Sequence, residues 1–114
     1  METTTKKDNQ GNEYLFVCEY FETRYNWGHK CTLFINNVEV QTGKAIYYNR
    51  TWESYRFQSV MKIALYNYIN EVQDRTVQQY KEQNNIKRLT RARRESVLET
   101  CQELKNLYSV YETL

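Results

Sequence analysis

Lys30-Cys31-Thr32-Leu33-Phe34-Ile35-Asn36-Asn37-Val38-Glu39-Val40-Gln41-Thr42 is the stretch on which the fold turns. Two runs of β-branched and aromatic residues flank a pair of asparagines. Asn tolerates the left-handed backbone that a two-residue hairpin turn demands. The register that follows sets Ile35 against Val38, Leu33 against Val40 and Cys31 against Thr42, so all six share one face. Even-numbered positions then carry that face on through Ile46 and Tyr48. Lys44 would interrupt it, and a β-bulge near Gly43 would restore it.

Working outward toward the N-terminus, Tyr14 to Phe21 is a third aromatic and β-branched run, and Asn26 to His29 supplies a turn in which Gly28 can take positive φ. The expected sheet has three antiparallel strands, at about 14–22, 30–35 and 38–48. Residues 1–12 are polar and mixed in charge, and read as a disordered tail.

Beyond Asn49 the apolar period changes from two to 3.6. Phe57, Val60, Met61, Ala64, Leu65, Tyr68, Ile69 and Val72 recur at steps of three and four, a stripe wide enough to cover a sheet. This predicts a helix over 52–72, with Thr51 as N-cap and Glu53 in its first turn. Nothing forces a stop before Asn84-Asn85. A long or broken helical segment over about 75–112 follows, its seam formed by Val97, Cys101, Leu104, Tyr108 and Tyr111. The fold class is therefore α+β, a single domain over 13–114.

A chain of 114 residues suits one modest core, and 40% hydrophobic with 26% charged residues is the balance of a globular protein. A formal net charge of +2 names no partner. No apolar run reaches the roughly 20 residues of a membrane span, and residues 1–11 do not read as a signal peptide, so a cytoplasmic location is expected. Cys18, Cys31 and Cys101 are odd in number and show no CxxC spacing, which indicates buried free thiols rather than a disulfide framework or zinc site.

Catalysis needs groups poised for proton transfer, nucleophilic attack or metal binding. His29 is the lone histidine and falls in the predicted turn, where it reads as a solvated residue. The carboxylates are scattered singly, and three glycines make no phosphate loop. The expectation is a non-enzymatic protein with no catalytic residues, metal or cofactor.

The concentrated charge lies in segment 81–94, KEQNNIKRLTRARR, where Lys81, Lys87, Arg88, Arg91, Arg93 and Arg94 face only Glu82 and then Glu95. Were the segment helical, Lys87, Arg91 and Arg94 would share a face. Arg forks suit bidentate phosphate contacts, and such a stripe is the footprint of a nucleic-acid binder. A solvated basic helix is the plainer reading. The C-terminal seam, extended backward, lands on Lys87, Thr90 and Arg94, so one helix would divide into a packing half and a projecting basic half. A second surface interleaves aromatics with cations at Arg50, Trp52, Tyr55 and Arg56, although packing of Trp52 and Phe57 on the sheet is the plainer reading.

The piece from Gly43 to Leu65, GKAIYYNRTWESYRFQSVMKIAL, resembles a segment of small uncharacterised proteins from phages, plasmids and prophages of low-GC Gram-positive bacteria. The likeness rests on Trp52, Glu53, Tyr55 and Phe57, and covers about a fifth of the chain. It implies a setting in which small proteins bind host machinery stoichiometrically, as anti-CRISPR proteins do. The leading expectation is a non-catalytic mobile-element protein that inhibits a host nucleoprotein, such as a CRISPR nuclease with its guide RNA, through its basic arm. A general DNA- or RNA-binding accessory protein is the alternative. A homodimer joined through Val97, Cys101, Leu104, Tyr108 and Tyr111 is the third reading.

Overall fold

The computed structural model describes residues 1–25, 27–47 and 53–114, and the side chains of all of these except Tyr47 and residues 53–56. The element order is β1 (Glu2–Lys7), β2 (Glu13–Glu22), β3 (Trp27–Ile35), β4 (Val38–Tyr47), α1 (Glu53–Gln83), α2 (Arg91–Glu99) and α3 (Gln102–Glu112). The strands form one antiparallel sheet in chain order. α1 packs across β4 and β3, and α3 packs on α1.

Among the described residues the sheet thus has four strands rather than the expected three, because residues 2–7 of the presumed tail pair with β2, from Glu2 opposite Cys18 to Lys7 opposite Glu13. Hydrophobicity does not betray this strand. An edge strand needs little apolar surface, and Thr3, Thr4 and Thr5 supply β-branched side chains instead. The turn after it is built on Asp8, whose Oδ1 accepts the backbone N–H groups of Gln10 and Asn12, while Gly11 takes φ +82°. The Lys6 ammonium donates to the Thr113 carbonyl and ties the strand to the end of α3.

The Asn36-Asn37 turn forms as expected, with φ of 51° and 68° and Ile35 opposite Val38. Past it the register slips by one. Phe34 faces Glu39, but Leu33 faces Gln41 and Cys31 faces Gly43, which leaves Val40 as the bulged residue. The bulge therefore sits three residues earlier than expected, and odd positions turn inward beyond it. The bulge turns Lys44 away from the core, its ammonium 4.6 Å from the centre of the Phe21 ring. Gly43 is buried under α1, where an added Cβ would lie 2.5 Å from the Ala64 nitrogen and 2.8 Å from the Val60 carbonyl oxygen. Ile46, expected inside, is exposed; Tyr48 lies outside the described residues.

The predicted turn at 26–29 is also displaced, since Trp27 to His29 already belong to β3. Gly28 serves there by lacking a side chain, because a Cβ would meet the Ala45 carbonyl oxygen at 2.1 Å.

The stripe on α1 holds. Val60, Ala64, Leu65, Tyr68, Ile69 and Val72 are buried, with Phe57 and Met61 packed beside them. They meet Tyr14, Phe16, Cys18, Cys31 and Leu33 from the sheet. Thr51 and Trp52, at the predicted helix start, lie outside the described residues. α1 runs on to Gln83 and stops at the two asparagines. Asn85 takes φ +57°, and the Ile86 N–H reaches back to the Lys81 carbonyl in the six-to-one bond of a Schellman motif.

The C-terminal segment is broken twice, at 84–90 and again at Thr100-Cys101. Cys101 is the N-cap of α3, so the seam read from Val97 to Tyr111 is not one continuous helical face. The buried face of α3 is Leu104, Leu107 and Val110, continued by Leu114. Leu104 enters the core, Cys101 and Tyr111 pack against it, and Tyr108 is exposed, its hydroxyl accepting from Gln73.

Candidate polyanion-binding surface

The six cations of segment 81–94 occupy three different local structures. Lys81 is in the last turn of α1. Lys87 and Arg88 lie in the 84–90 connection, and Arg91, Arg93 and Arg94 open α2. Lys87, Arg91 and Arg94 therefore do not share one helical face, because the Schellman stop ends α1 before Lys87 and Thr90 starts a new helix. Thr90 is an extended N-cap whose hydroxyl accepts from the Arg93 backbone N–H.

The break also puts three of the cations at the start of a helix. α2 has no acidic residue in its first turn and carries three arginines at the end where the peptide dipoles already leave partial positive charge. Such placement costs stability, since each cation there is disfavoured by about 0.3–1 kcal/mol. Five of the six cations are exposed and Lys81 is half-buried. Of these six cations, only Arg91 has an ion pair among the described residues, to Glu95 at 3.2 Å. Lys81 and Lys87 line a shallow depression of about 370 Å³ together with Gln78, Glu82, Asn85 and Ile86. α2 itself buries no residue.

Of the second surface, Arg50 and Trp52 lie outside the described residues, as do the side chains of Tyr55 and Arg56. Phe57, next to it, packs on the core as the plainer reading held.

His29 is not a solvated turn residue. It is buried in β3, its ring 4.7 Å from Phe57, 5.6 Å from Tyr20 and 6.4 Å from Trp27, in edge-on contacts with Phe57 and Tyr20. Its surroundings are aromatic. Among the described residues, no three His, Cys, Asp or Glu side chains are placed to hold a metal ion. No helix of the described residues is long and apolar enough to cross a membrane.

A polar cleft of about 300 Å³ escaped the reading of the sequence. Tyr14, Tyr68, Glu103 and Asn106 line it, with Asn12 and Asn36 at its rim. Its polar groups are already engaged. The Tyr14 hydroxyl donates to Asp8, the Tyr68 hydroxyl and the Arg75 guanidinium donate to Glu103, and the Asn106 amide donates to Gln10. Burial pushes the Tyr14 phenol up, and the Asp8 carboxylate beside it adds to the rise. Burial also pushes Asp8 upward, but hydrogen bonds from Asn12, Tyr14 and Gln10 outweigh it and hold the carboxyl below its ordinary value of 3.8. This network stitches the β1–β2 turn to α3 and serves the fold. Its signal in the sequence was Asp8-x-x-Gly11, a turn signature overlooked inside a polar tail.

No protein-family model matches the chain, and neither a curated protein nor a solved structure matches it significantly.

Proposed function

We propose that the protein is a non-catalytic binding protein that docks on an anionic macromolecular surface through segment 81–94. The observation that carries this reading is the first turn of α2, where Arg91, Arg93 and Arg94 stand exposed at the positive end of a helix without an acidic neighbour in that turn. A helix kept only for packing would place Asp or Glu there, and α2 does no packing that buries a residue. A cation cluster held against its own stability is best explained by an anionic partner.

The partner we favour is a host nucleoprotein, a CRISPR effector with its guide RNA being the type that the resemblance of segment 43–65 suggests. The reading then is stoichiometric inhibition by a mobile-element protein, in which the arginines meet phosphates or an acidic groove. A general binder of DNA or RNA is the second reading, favoured by the same arginines, since bidentate Arg–phosphate contacts need no protein partner.

Two measurements separate these readings. Free 20-mer RNA and duplex DNA are titrated with protein at several salt concentrations. The accessory binder gives a log–log salt slope that falls by about one for each phosphate-contacting cation removed. Capture from a host lysate, with and without nuclease, then compares the wild type with a variant changed to Glu at Arg88, Arg91, Arg93 and Arg94. A ribonucleoprotein retained only by the wild type supports the inhibitor. Equal capture by both proteins, together with no binding of free nucleic acid, overturns the assignment of this surface.

A further inference from the structure

Cys18 and Cys31 were expected to be buried free thiols, and both are buried, at 2% and 0% exposure. Their placement goes further. They stand directly opposite one another on β2 and β3, and both point into the core. Directly opposed residues of an antiparallel pair have Cα atoms roughly 4.5–5.5 Å apart, which falls inside the roughly 4.4–6.8 Å that a disulfide spans. The Cys18 thiol donates to the Phe57 carbonyl at 4.0 Å and the Cys31 thiol to the Thr32 carbonyl at 3.8 Å, weak contacts that leave both sulfurs free to pair.

We propose that Cys18 and Cys31 are a redox-active dithiol, which a small hydroperoxide converts into a cross-strand disulfide within the folded protein. The two sulfurs take different roles. Cys18 stands opposite Glu2 of the edge strand β1, and Cys31 lies one strand further into the sheet. The interaction with Cys31 also holds Cys18 below its ordinary value against the opposing effect of burial, while Cys31 is pushed upward by the same interaction and by burial. Cys18 is the attacking sulfur and Cys31 the resolving one.

Cys18 is buried but lies close to the edge of the sheet. Its neighbour across β1 is Glu2, the first residue of an edge strand, and strand ends fray at low cost. A cavity of about 490 Å³ is lined by Glu2, Thr4, Phe57 and Met61, and the Phe57 carbonyl oxygen lies 4.0 Å from the Cys18 sulfur. Fraying of β1 at Glu2 uncovers Cys18 before Cys31.

The Cys18 thiolate attacks one peroxide oxygen, the O–O bond breaks, and the departing hydroxide takes the thiol's proton as water, leaving a sulfenic acid (water from hydrogen peroxide, an alcohol from an organic hydroperoxide). The Cys31 sulfur then attacks Cys18 and loses its proton. The S–O bond breaks and the hydroxide leaves as a second water. Two thiol sulfurs are oxidised and two peroxide oxygens are reduced.

The test uses the full chain with Cys101→Ser, which removes the half-buried third thiol. Folded protein is treated with hydrogen peroxide, quenched, unfolded and alkylated. The expected result is a loss of both alkylatable thiols, a mass lower by two hydrogens, restoration by dithiothreitol and a raised Tm. In the Cys31→Ala variant the reaction should halt at Cys18 and give an adduct with dimedone, whereas the Cys18→Ala variant should give none. Should either variant fail to fold, the unmutated pair still decides the question. Retention of both thiols in folded protein, or disulfide formation only after denaturant is added, overturns the proposal.

Discussion

α2 and α3 are neighbours of similar length with opposite relations to the rest of the molecule. The eleven residues of α3 bury Leu104, Asn106, Leu107 and Val110. The nine of α2 bury none. α3 opens with Glu103 in its first turn, favourable to the helix dipole, and that carboxylate is held by Tyr68 and Arg75 of α1. α2 opens with arginines and is held by a single N-cap and by the half-buried Val97 and Leu98. The difference teaches that stability and charge have been assigned to separate helices. α2 adds only half-buried side chains, Leu98 among them, at the margin of the core, so its composition is less constrained by packing than that of α3.

The largest expected effect breaks this contrast from the α3 side. Leu107→Ala removes a side chain that is 1% exposed and should cost about 2–5 kcal/mol in urea unfolding. Leu98→Ala, on the half-buried face of α2, should cost under about half of that. If the two costs are equal, α2 belongs to the core and the division proposed here fails.

The second effect tests how α3 is tied down. Asn106 reaches Gln10, and Asp8 holds the turn that carries Gln10. Asp8→Ala leaves the buried Tyr14 hydroxyl without its acceptor and should cost about 1–3 kcal/mol. The carboxyl of Asp8 is held below its unfolded value, so its contribution is fully present above about pH 4 and is lost as pH falls through the lower folded value. The wild type should therefore lose stability in that acid range more steeply than the alanine variant. Parallel acid profiles would show that Asp8 does not stabilise as a carboxylate.

The helical half of the fold was largely legible, because the stripe from Phe57 to Val72 repeats at the period of one long helix and has no competing pattern. The hairpin turn was legible for the same reason, since two adjacent asparagines admit few structures. The rest failed where local cues cannot decide. β1 carries no apolar signal, because its partner β2 supplies the core side chains. The bulge at Val40 depends on α1 lying against Gly43, a contact from outside the strand. The break at Thr100-Cys101 hides within spacings of four and three that imitate a continuous seam. At the candidate surface, the charge cluster was visible from composition. Its division between a connection and a helix start was not, because it rests on the left-handed Asn85 and on the Thr90 cap.

The smallest expected effects are also the most discriminating for α2. Thr90→Ala removes the hydroxyl that accepts from the Arg93 N–H and should cost the helix about 1 kcal/mol, read as faster amide exchange confined to residues 91–99. Arg93→Glu works in the opposite sense. Position 93 is the third of the helix after a Thr cap, so the change completes a capping box and places an anion in a first turn that has none. Amide exchange in α2 should then slow, by a stabilisation of about 0.3–1 kcal/mol. Polyanion binding should weaken in the same protein. A variant that is more ordered and yet binds less would show that Arg93 is held for a partner at the expense of its own helix. If exchange slows and binding to the captured partner is unchanged, α2 presents its arginines to solvent alone.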